Sequence, residues 1–144
     1  DPAGYTIAIP PEWQTADNFG TDGFIRADIT KGSDMGIQVR LTDTAPENFS
    51  ITAEAMIDDY STDMSSHYGG YCTETERFYP EAGDEALTAC FRSEWEDGSE
   101  WYLQLSLVRN NNMLVIFQSG CGWEDRGEGR QLFDRVVESI TFNE

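Results

Sequence analysis

Histidine and cysteine are scarce in this chain of 144 residues. His67 is the single histidine, which excludes most metal centres and triad-type active sites, because these use imidazole as a ligand or a base. The three cysteines, Cys72, Cys90 and Cys121, form no Cys-x-x-Cys pair, so the sequence predicts no zinc site. No Gly-x-Ser-x-Gly motif is present, and a serine nucleophile of that type is excluded.

Positive charge is also scarce. The chain has nine basic and 27 acidic residues, which gives a net charge of −18, and Lys31 is the single lysine. The negative electrostatic field of such a chain repels the phosphates of nucleic acids and anionic bilayers, so neither is predicted as a partner. It would suit a cationic partner or a divalent ion. The interpretation that the charge only keeps the protein in solution is the one the sequence favours.

Long apolar runs are absent. None approaches the roughly 20 residues that a bilayer-spanning helix needs, so this segment is not expected to insert into a membrane. The hydrophobic content of 39%, with 12% aromatic residues, is typical of a globular domain. The length predicts one domain, residues 1–144. We expect a monomer whose partner is a protein or a small ligand of unknown identity.

Alternating apolar and polar residues predict an opening strand at residues 5–9 and six later strands. The six cover residues 24–29, 35–42, 71–78, 86–95, 101–109 and 113–120. The segment 113–117 is apolar on both faces, which favours a central strand covered from both sides.

Apolar stripes at helical spacing predict two helices, near residues 52–68 and 127–139. The first stripe contains Met56, Tyr60 and Met64, at i, i+4 and i+8. The order of elements predicts an α+β fold, an antiparallel sheet of about six strands with helices packed on it.

Two short segments carry a resemblance to a known family. They are "IPPEW" (Ile9–Trp13), directly after the opening strand, and "FDRVVESITF" (Phe133–Phe142) at the end of the chain. With the element order, they resemble the Mog/PsbP-like family. That family includes the PsbP subunit of photosystem II, the Ran-GTPase release factor Mog, and many bacterial exported proteins and lipoproteins.

The resemblance implies an α/β/α sandwich with Trp13 packed at the end of the sheet. We therefore expect Trp13, Ile140 and Phe142 to be largely buried. It also implies a bacterial exported protein or lipoprotein, secreted or associated with the cell surface. The chain opens at Asp1-Pro2 as a trimmed or mature fragment would, so a signal or lipid anchor is expected outside this segment.

A carboxylate-rich hairpin supplies the candidate binding site. If Asp97-Gly98-Ser99 forms a three-residue turn, Glu96 faces Glu100 and Glu94 faces Tyr102. Carboxylates placed like this could bind Ca²⁺ or meet a basic partner. A turn that is simply exposed to water is the favoured interpretation, because exposed charge pairs contribute little.

Aromatic residues flank the same hairpin and extend the candidate site. No catalytic residue, metal ligand or cofactor is predicted, with calcium as a minor alternative. The predicted binding residues are Glu94, Glu96, Glu100, Tyr102, Trp95, Trp101 and Trp123.

The sequence thus favours a non-catalytic binding or accessory domain. The alternative is a hydrolytic enzyme that uses carboxylates or a Cys72–His67 pair. A further alternative is a stress or immunity lipoprotein in which the fold alone matters.

Disulfides are not expected. The predicted strand pairing places Cys72, Cys90 and Cys121 in different rows or several strands apart, beyond the Cα separation of about 7 Å that a disulfide tolerates. At most one bridge, involving Cys121, is predicted.

Overall fold

The computed structural model describes residues 5–8, 14–16, 25–31, 35–68 and 70–142, with the backbone alone at 14–16, 25–31, 67 and 68. Two α-helices lie in the described part, α1 (Phe49–Tyr68) and α2 (Arg126–Glu138), each preceded by a short 3-10 turn. The strands are β1 (Tyr5–Thr6), β2 (Gln14–Ala16), β3 (Ile25–Lys31), β4 (Met35–Asp43), β5 (Tyr71–Phe78), β6 (Glu85–Glu94), β7 (Glu100–Asn110), β8 (Met113–Gly122) and β9 (Thr141–Phe142).

Seven strands form one antiparallel sheet in the order β2-β3-β4-β8-β7-β6-β5. β8 is the central strand, as its two apolar faces predict. The sheet has seven strands where about six were predicted, because β2 has three residues, too few to show a period. β1 stands apart and pairs with β9, with Tyr5 opposite Phe142.

Each face of the sheet is covered by one helix. Successive side chains of a strand point to opposite faces, so β7 sends Leu103, Leu105 and Leu107 to one side and Tyr102 and Val108 to the other. The first side packs against the buried stripe of α1, which is Phe49, Ala53, Ile57 and Tyr60. The second packs against Leu132, Phe133, Val136 and Val137 of α2. The predicted α+β fold and its α/β/α layering are confirmed.

Both helices lie within a few residues of their predicted bounds. α1 begins at Phe49 because the turn at Pro46–Asn48 leads directly into it. No helix in the described ranges is long and apolar enough to cross a membrane.

The burial expected of the chain ends is observed in part. Ile140 is buried and Phe142 is half-buried against the α2 side of the core. Trp13 lies outside the described residues. The cysteines Cys72, Cys90 and Cys121 are free and buried, so no disulfide forms.

Helix α1 also covers part of the sheet edge formed by β5. Ser65 Oγ accepts a hydrogen bond from the backbone N–H of Cys72 at 3.0 Å, and Ser61 Oγ donates to the carbonyl of Cys72 at 2.8 Å. Further along β5 the pairing with β6 is interrupted by a bulge between Glu74 and Glu76. The backbone of Cys72, at the edge of the sheet, is therefore satisfied by helix side chains.

Candidate functional site

The β6–β7 hairpin turns one residue earlier than predicted, at Glu96-Asp97-Gly98. The Trp95 N–H donates to the Ser99 carbonyl at 2.9 Å, and the Gly98 N–H donates to the Trp95 carbonyl at 3.0 Å. Gly98 has a φ of +87°, a conformation that glycine adopts without strain. Asp97 Oδ1 accepts hydrogen bonds from both the N–H and the Oγ of Ser99, which lowers the pKa of Asp97.

This register corrects both predicted pairings. Glu94, and not Glu96, faces Glu100 across the ladder, and Tyr102 faces Arg92. The physical reason is the turn chemistry, because Gly98 takes the last position of the turn, where a positive φ is required. Glu96 lies in the turn itself.

A cation that sequence analysis missed accompanies the Glu94–Glu100 pair. Arg92 Nε donates to Glu100 Oε2 at 3.0 Å, and its Nη2 contacts the same oxygen. The signal was present, because Arg92 precedes Glu94 by two residues and so shares its face of the strand.

The tryptophans of the predicted site belong to two faces of the sheet. Trp95 and Trp101 stack, with ring centroids 4.8 Å apart, and Trp101 packs against the α1 side of the core. Their indole N–H groups donate to Ser93 and Ser99, respectively. Trp123 packs against the α2 side instead.

Two guanidinium groups lie against the ring of Trp123. The Cζ of Arg92 lies 4.6 Å from its ring centroid, and that of Arg126 lies 4.4 Å away. Arg126 also donates from Nη1 to the carbonyl of Trp123 at 2.7 Å. The ring therefore acts as a cation-binding surface within the protein itself.

A cleft of about 560 Å³ opens where the hairpin meets the turn between β8 and α2. We call it the sheet-end cleft. It is lined by Gly98, Ser99, Glu100, Trp101, Gly122, Trp123, Glu124 and Asp125. Glu124 and Asp125 are exposed, and neither side chain has an ion pair or hydrogen bond within the described part of the chain.

The structure thus brings together three of the predicted binding residues, Glu100, Trp101 and Trp123. Glu94, Trp95 and Glu96 lie beside the cleft but do not line it. The prediction missed Glu124 and Asp125. The sequence signal for them was the segment "GWED", directly ahead of an amphipathic helix. Its acidic residues come close to the hairpin only because β8 and β7 are neighbours in the sheet.

Tyr102 does not belong to this surface. It is buried under α2, where its hydroxyl donates to Gln104 Oε1 at 2.5 Å. Gln104 Nε2 donates in turn to Asp134 Oδ1 of α2 at 2.8 Å. Burial raises the pKa of Tyr102 well above its usual value. The residue belongs to a buried polar chain that joins β7 to α2.

Asp134 at the end of that chain makes stability depend on pH. Burial raises its pKa above the ordinary value, although the hydrogen bond from Gln104 and the charge of Arg130 oppose this and Glu138 adds to it. The folded state therefore binds this proton more tightly than the unfolded state. The stabilisation that this proton gives to the fold is fully present below the pKa of Asp134 in the unfolded state. It is lost as the pH rises through the pKa of Asp134 in the folded state.

We expect Asp134→Asn to raise the free energy of unfolding at pH 7, since asparagine is neutral and can still accept the bond from Gln104. The gain should vanish at a pH low enough to protonate Asp134 in both states. Urea unfolding of both proteins over a pH series measures this. A difference that does not change with pH would contradict the assignment.

No group of three or more potential metal ligands is found among the described residues. At the hairpin, the guanidinium group of Arg92 lies against Glu100.

Comparisons with known proteins concern the fold. No protein-family model and no curated protein matches the sequence. Among solved structures, a cyanobacterial PsbP from Synechocystis is similar with a TM-score of 0.74 and 16% identity, over 98% of this chain and 88% of that protein.

Two further structures are similar over nearly all of this chain. LpqN, involved in cell envelope biogenesis of Mycobacterium tuberculosis, has a TM-score of 0.62 at 10% identity, over 97% of this chain and 83% of LpqN. The Ran-binding protein Mog1p of Saccharomyces cerevisiae has a TM-score of 0.60 at 11% identity, over 96% of this chain and 90% of Mog1p. The chain therefore has the Mog/PsbP-like fold, as the resemblance of its opening and closing segments predicted.

Proposed function

We propose that this protein is a non-catalytic binding or accessory domain whose protein partner docks at the sheet-end cleft. The observation that carries the proposal is the composition of that cleft. Trp101 from the α1 side and Trp123 from the α2 side both reach it, beside the carboxylates of Glu100, Glu124 and Asp125.

Tryptophan at a concave site is typical of a binding anchor. Trp101 and Trp123 are half-buried, so each presents part of its ring to solvent while the rest is fixed by the core. Anchors that are rigid before binding lose little conformational entropy when a partner docks. The acidic residues at the rim favour a partner with positive charge and would accelerate its approach.

The fold neighbours support the same class of function. LpqN is involved in cell envelope biogenesis, and Mog1p binds Ran. We extend the proposal to an exported protein associated with the cell surface. Fractionation of the cells that make the full-length protein should place it in the envelope or the medium, and recovery from the cytosol would contradict this.

The burial of Cys72 argues against the hydrolytic alternative that pairs Cys72 with His67. Cys72 is buried, and burial raises the pKa of its thiol to about 11, whereas a nucleophilic cysteine must form the thiolate near neutral pH. Burial also raises the pKa of Cys121 to about 12 and that of Cys90 above its usual value.

We therefore expect the native protein to react very slowly with Ellman's reagent at pH 7.5. After unfolding in urea without a reductant, all three cysteines should react. The absorbance of the released thiolate measures both stages. A fast reaction of the native protein that disappears in Cys72→Ser would restore the alternative that uses the Cys72–His67 pair.

The docking surface is tested by site-specific photo-crosslinking in the cells that make the protein. A photoreactive amino acid at position 124, in the cleft, should give a discrete adduct. The matched control is position 58, where Asp58 is also exposed, on α1. Adding Trp123→Ala should remove the adduct at position 124. No adduct at 124, or equal adducts at both positions, would contradict the proposal.

A further inference from the structure

We propose that the sheet-end cleft takes an arginine side chain of the partner, and that Arg92 occupies this arginine's place in the free domain. The inference rests on the proposed function and specifies the chemistry that the cleft recognises. It also assigns Glu94 a role, as the carboxylate to which Arg92 moves when the partner binds.

The contacts of Arg92 define the ligand. Its guanidinium donates to Glu100 Oε2, at 3.0 Å from Nε, and lies 4.6 Å from the centroid of Trp123. Glu100 and Trp123 both line the cleft, whereas Arg92 does not. Arg92 therefore lies at the border of the sheet-end cleft and binds Glu100 and Trp123, two residues that a docking partner would contact.

Arg92 is held weakly enough to be displaced. The side chain of Arg92 is 48% exposed and that of Glu100 is 36% exposed. Ion pairs with this degree of exposure contribute little to stability, because water competes for both charges. An arginine from a partner can take the same carboxylate and ring, and it also meets Glu124 and Asp125, which have no ion pair in the described part of the chain.

Glu94 gives the displaced Arg92 a new partner. It lies directly opposite Glu100 in the ladder and two residues from Arg92 on the same face of β6. Within the described residues, the carboxylate of Glu94 has no ion pair or hydrogen bond. A shift of Arg92 from Glu100 to Glu94 therefore keeps its charge compensated and removes the repulsion between two cations in the cleft.

Arginine fits this site better than lysine. A planar guanidinium stacks on an indole while it donates to a carboxylate, as Arg92 does here, whereas an ammonium group is a compact, strongly hydrated charge. Unlike Arg92, Arg126 is expected to stay in place when a partner binds, because its hydrogen bond to the Trp123 carbonyl anchors it to the backbone.

The probe is the peptide acetyl-Gly-Gly-Arg-Gly-Gly-amide, with its lysine counterpart as a control. Binding is followed by NMR through the indole N–H resonance of Trp123 at physiological salt. We expect the arginine peptide to bind more tightly than the lysine peptide. Arg92→Gln should tighten arginine binding by about twofold to fivefold, the range set by the strength of an exposed ion pair.

Glu94→Gln should have the opposite effect and weaken binding, because Arg92 loses its alternative carboxylate. The matched controls change the net charge equally at other places. Arg77→Gln removes an arginine that pairs with Glu54 and Glu74, and Glu47→Gln removes an exposed carboxylate in the turn before α1, after the end of β4 that lies far from the cleft. Both should leave the affinity nearly unchanged, because salt screens exposed charges beyond about 8 Å.

Any of three results would overturn the inference. These are equally tight binding of the lysine and arginine peptides, no tightening of binding by Arg92→Gln, and no detectable binding of the arginine peptide to any variant. None of these decides the proposed function, which depends on the adduct at position 124. Absence of that adduct when Trp123 is intact, whatever the peptide does, would refute the docking surface itself.

Discussion

Replacing Gly129 with alanine should lower the free energy of unfolding by about 2–3 kcal/mol, the cost of overpacking a closed core. A Cβ at this position of α2 would lie 2.5 Å from the Sγ of Cys121 and 3.4 Å from the ring of Phe133. Cys121 is fully buried in β8, so its sulfur has no open space to enter. Gly129 thus sets how closely α2 approaches the central strand.

The same helix supplies the matched control. Gly127 lies two residues earlier, and a Cβ there meets nothing within 4 Å. Gly127→Ala should raise the free energy of unfolding, by up to about 1 kcal/mol, because alanine restricts the unfolded chain and favours the helix. Urea unfolding at constant pH compares the two variants. Equal effects would show that helix propensity, and not the contact with Cys121, decides the result.

A double-mutant cycle isolates that contact. Cys121→Ala removes the sulfur that the new methyl group would meet. In this background Gly129→Ala should cost clearly less than in the native sequence, which gives a favourable interaction energy between the two substitutions. Strict additivity would mean that the destabilisation has another origin.

Gly70→Ala should cost about 3 kcal/mol or more, since the obstructing atom belongs to the backbone and cannot rotate away. Its Cβ would lie 1.6 Å from the carbonyl oxygen of Glu94 and 3.0 Å from the Cα of Trp95. Relief requires the start of β5 and the end of β6 to separate. Because Glu94 and Trp95 lead into the hairpin turn, that movement would also displace the wall of the sheet-end cleft.

Gly98→Ala distinguishes this steric clash from backbone strain. Gly98 has a φ of +87°, but a Cβ there would have open space. Its substitution should cost only about 1 kcal/mol, the penalty for a left-handed conformation. Thermal unfolding followed by circular dichroism ranks the variants, and a Gly98→Ala cost that matched Gly70→Ala would contradict the steric account.

The layout of the fold was accessible from sequence because its signals are periodic. Residues 113–117 are apolar on both faces, and β8 is indeed the central strand with a helix layer on each side. The stripes of α1 and α2 likewise placed both helices within a few residues. These patterns show which faces of a strand or helix are buried, and the buried faces determine how the helices and the sheet stack.

The polar face of β7 shows where periodicity is ambiguous. Tyr102, Gln104 and Ser106 alternate with leucines and so resemble a solvent-exposed face, yet all three are buried under α2. They are tolerated because each finds a polar partner, as Ser106 does in its hydrogen bond with Thr88 at 2.8 Å. Alternation alone does not distinguish water from a satisfied polar core.

The candidate site was predictable only in part, for a geometric reason. A shift of the turn by one residue changes every pair across the hairpin, so Glu100 meets Glu94 instead of Glu96. The contribution of Glu124 and Asp125 depends on how β8 and β7 align, with Trp101 opposite Gly122. That register is a tertiary property, and no local sequence pattern encodes it.

The serines of α1 at the β5 edge limit how this protein can associate with other chains. Many domains bind extended peptides, and many misfolded proteins aggregate, by adding a strand to an open sheet edge. At Cys72 both backbone groups are already bonded to Ser61 and Ser65, and the bulge at Glu74–Glu76 interrupts the regular spacing that an added strand would need. A partner that approaches along this part of β5 must therefore be recognised through side chains, and fibril growth from it would first require α1 to detach.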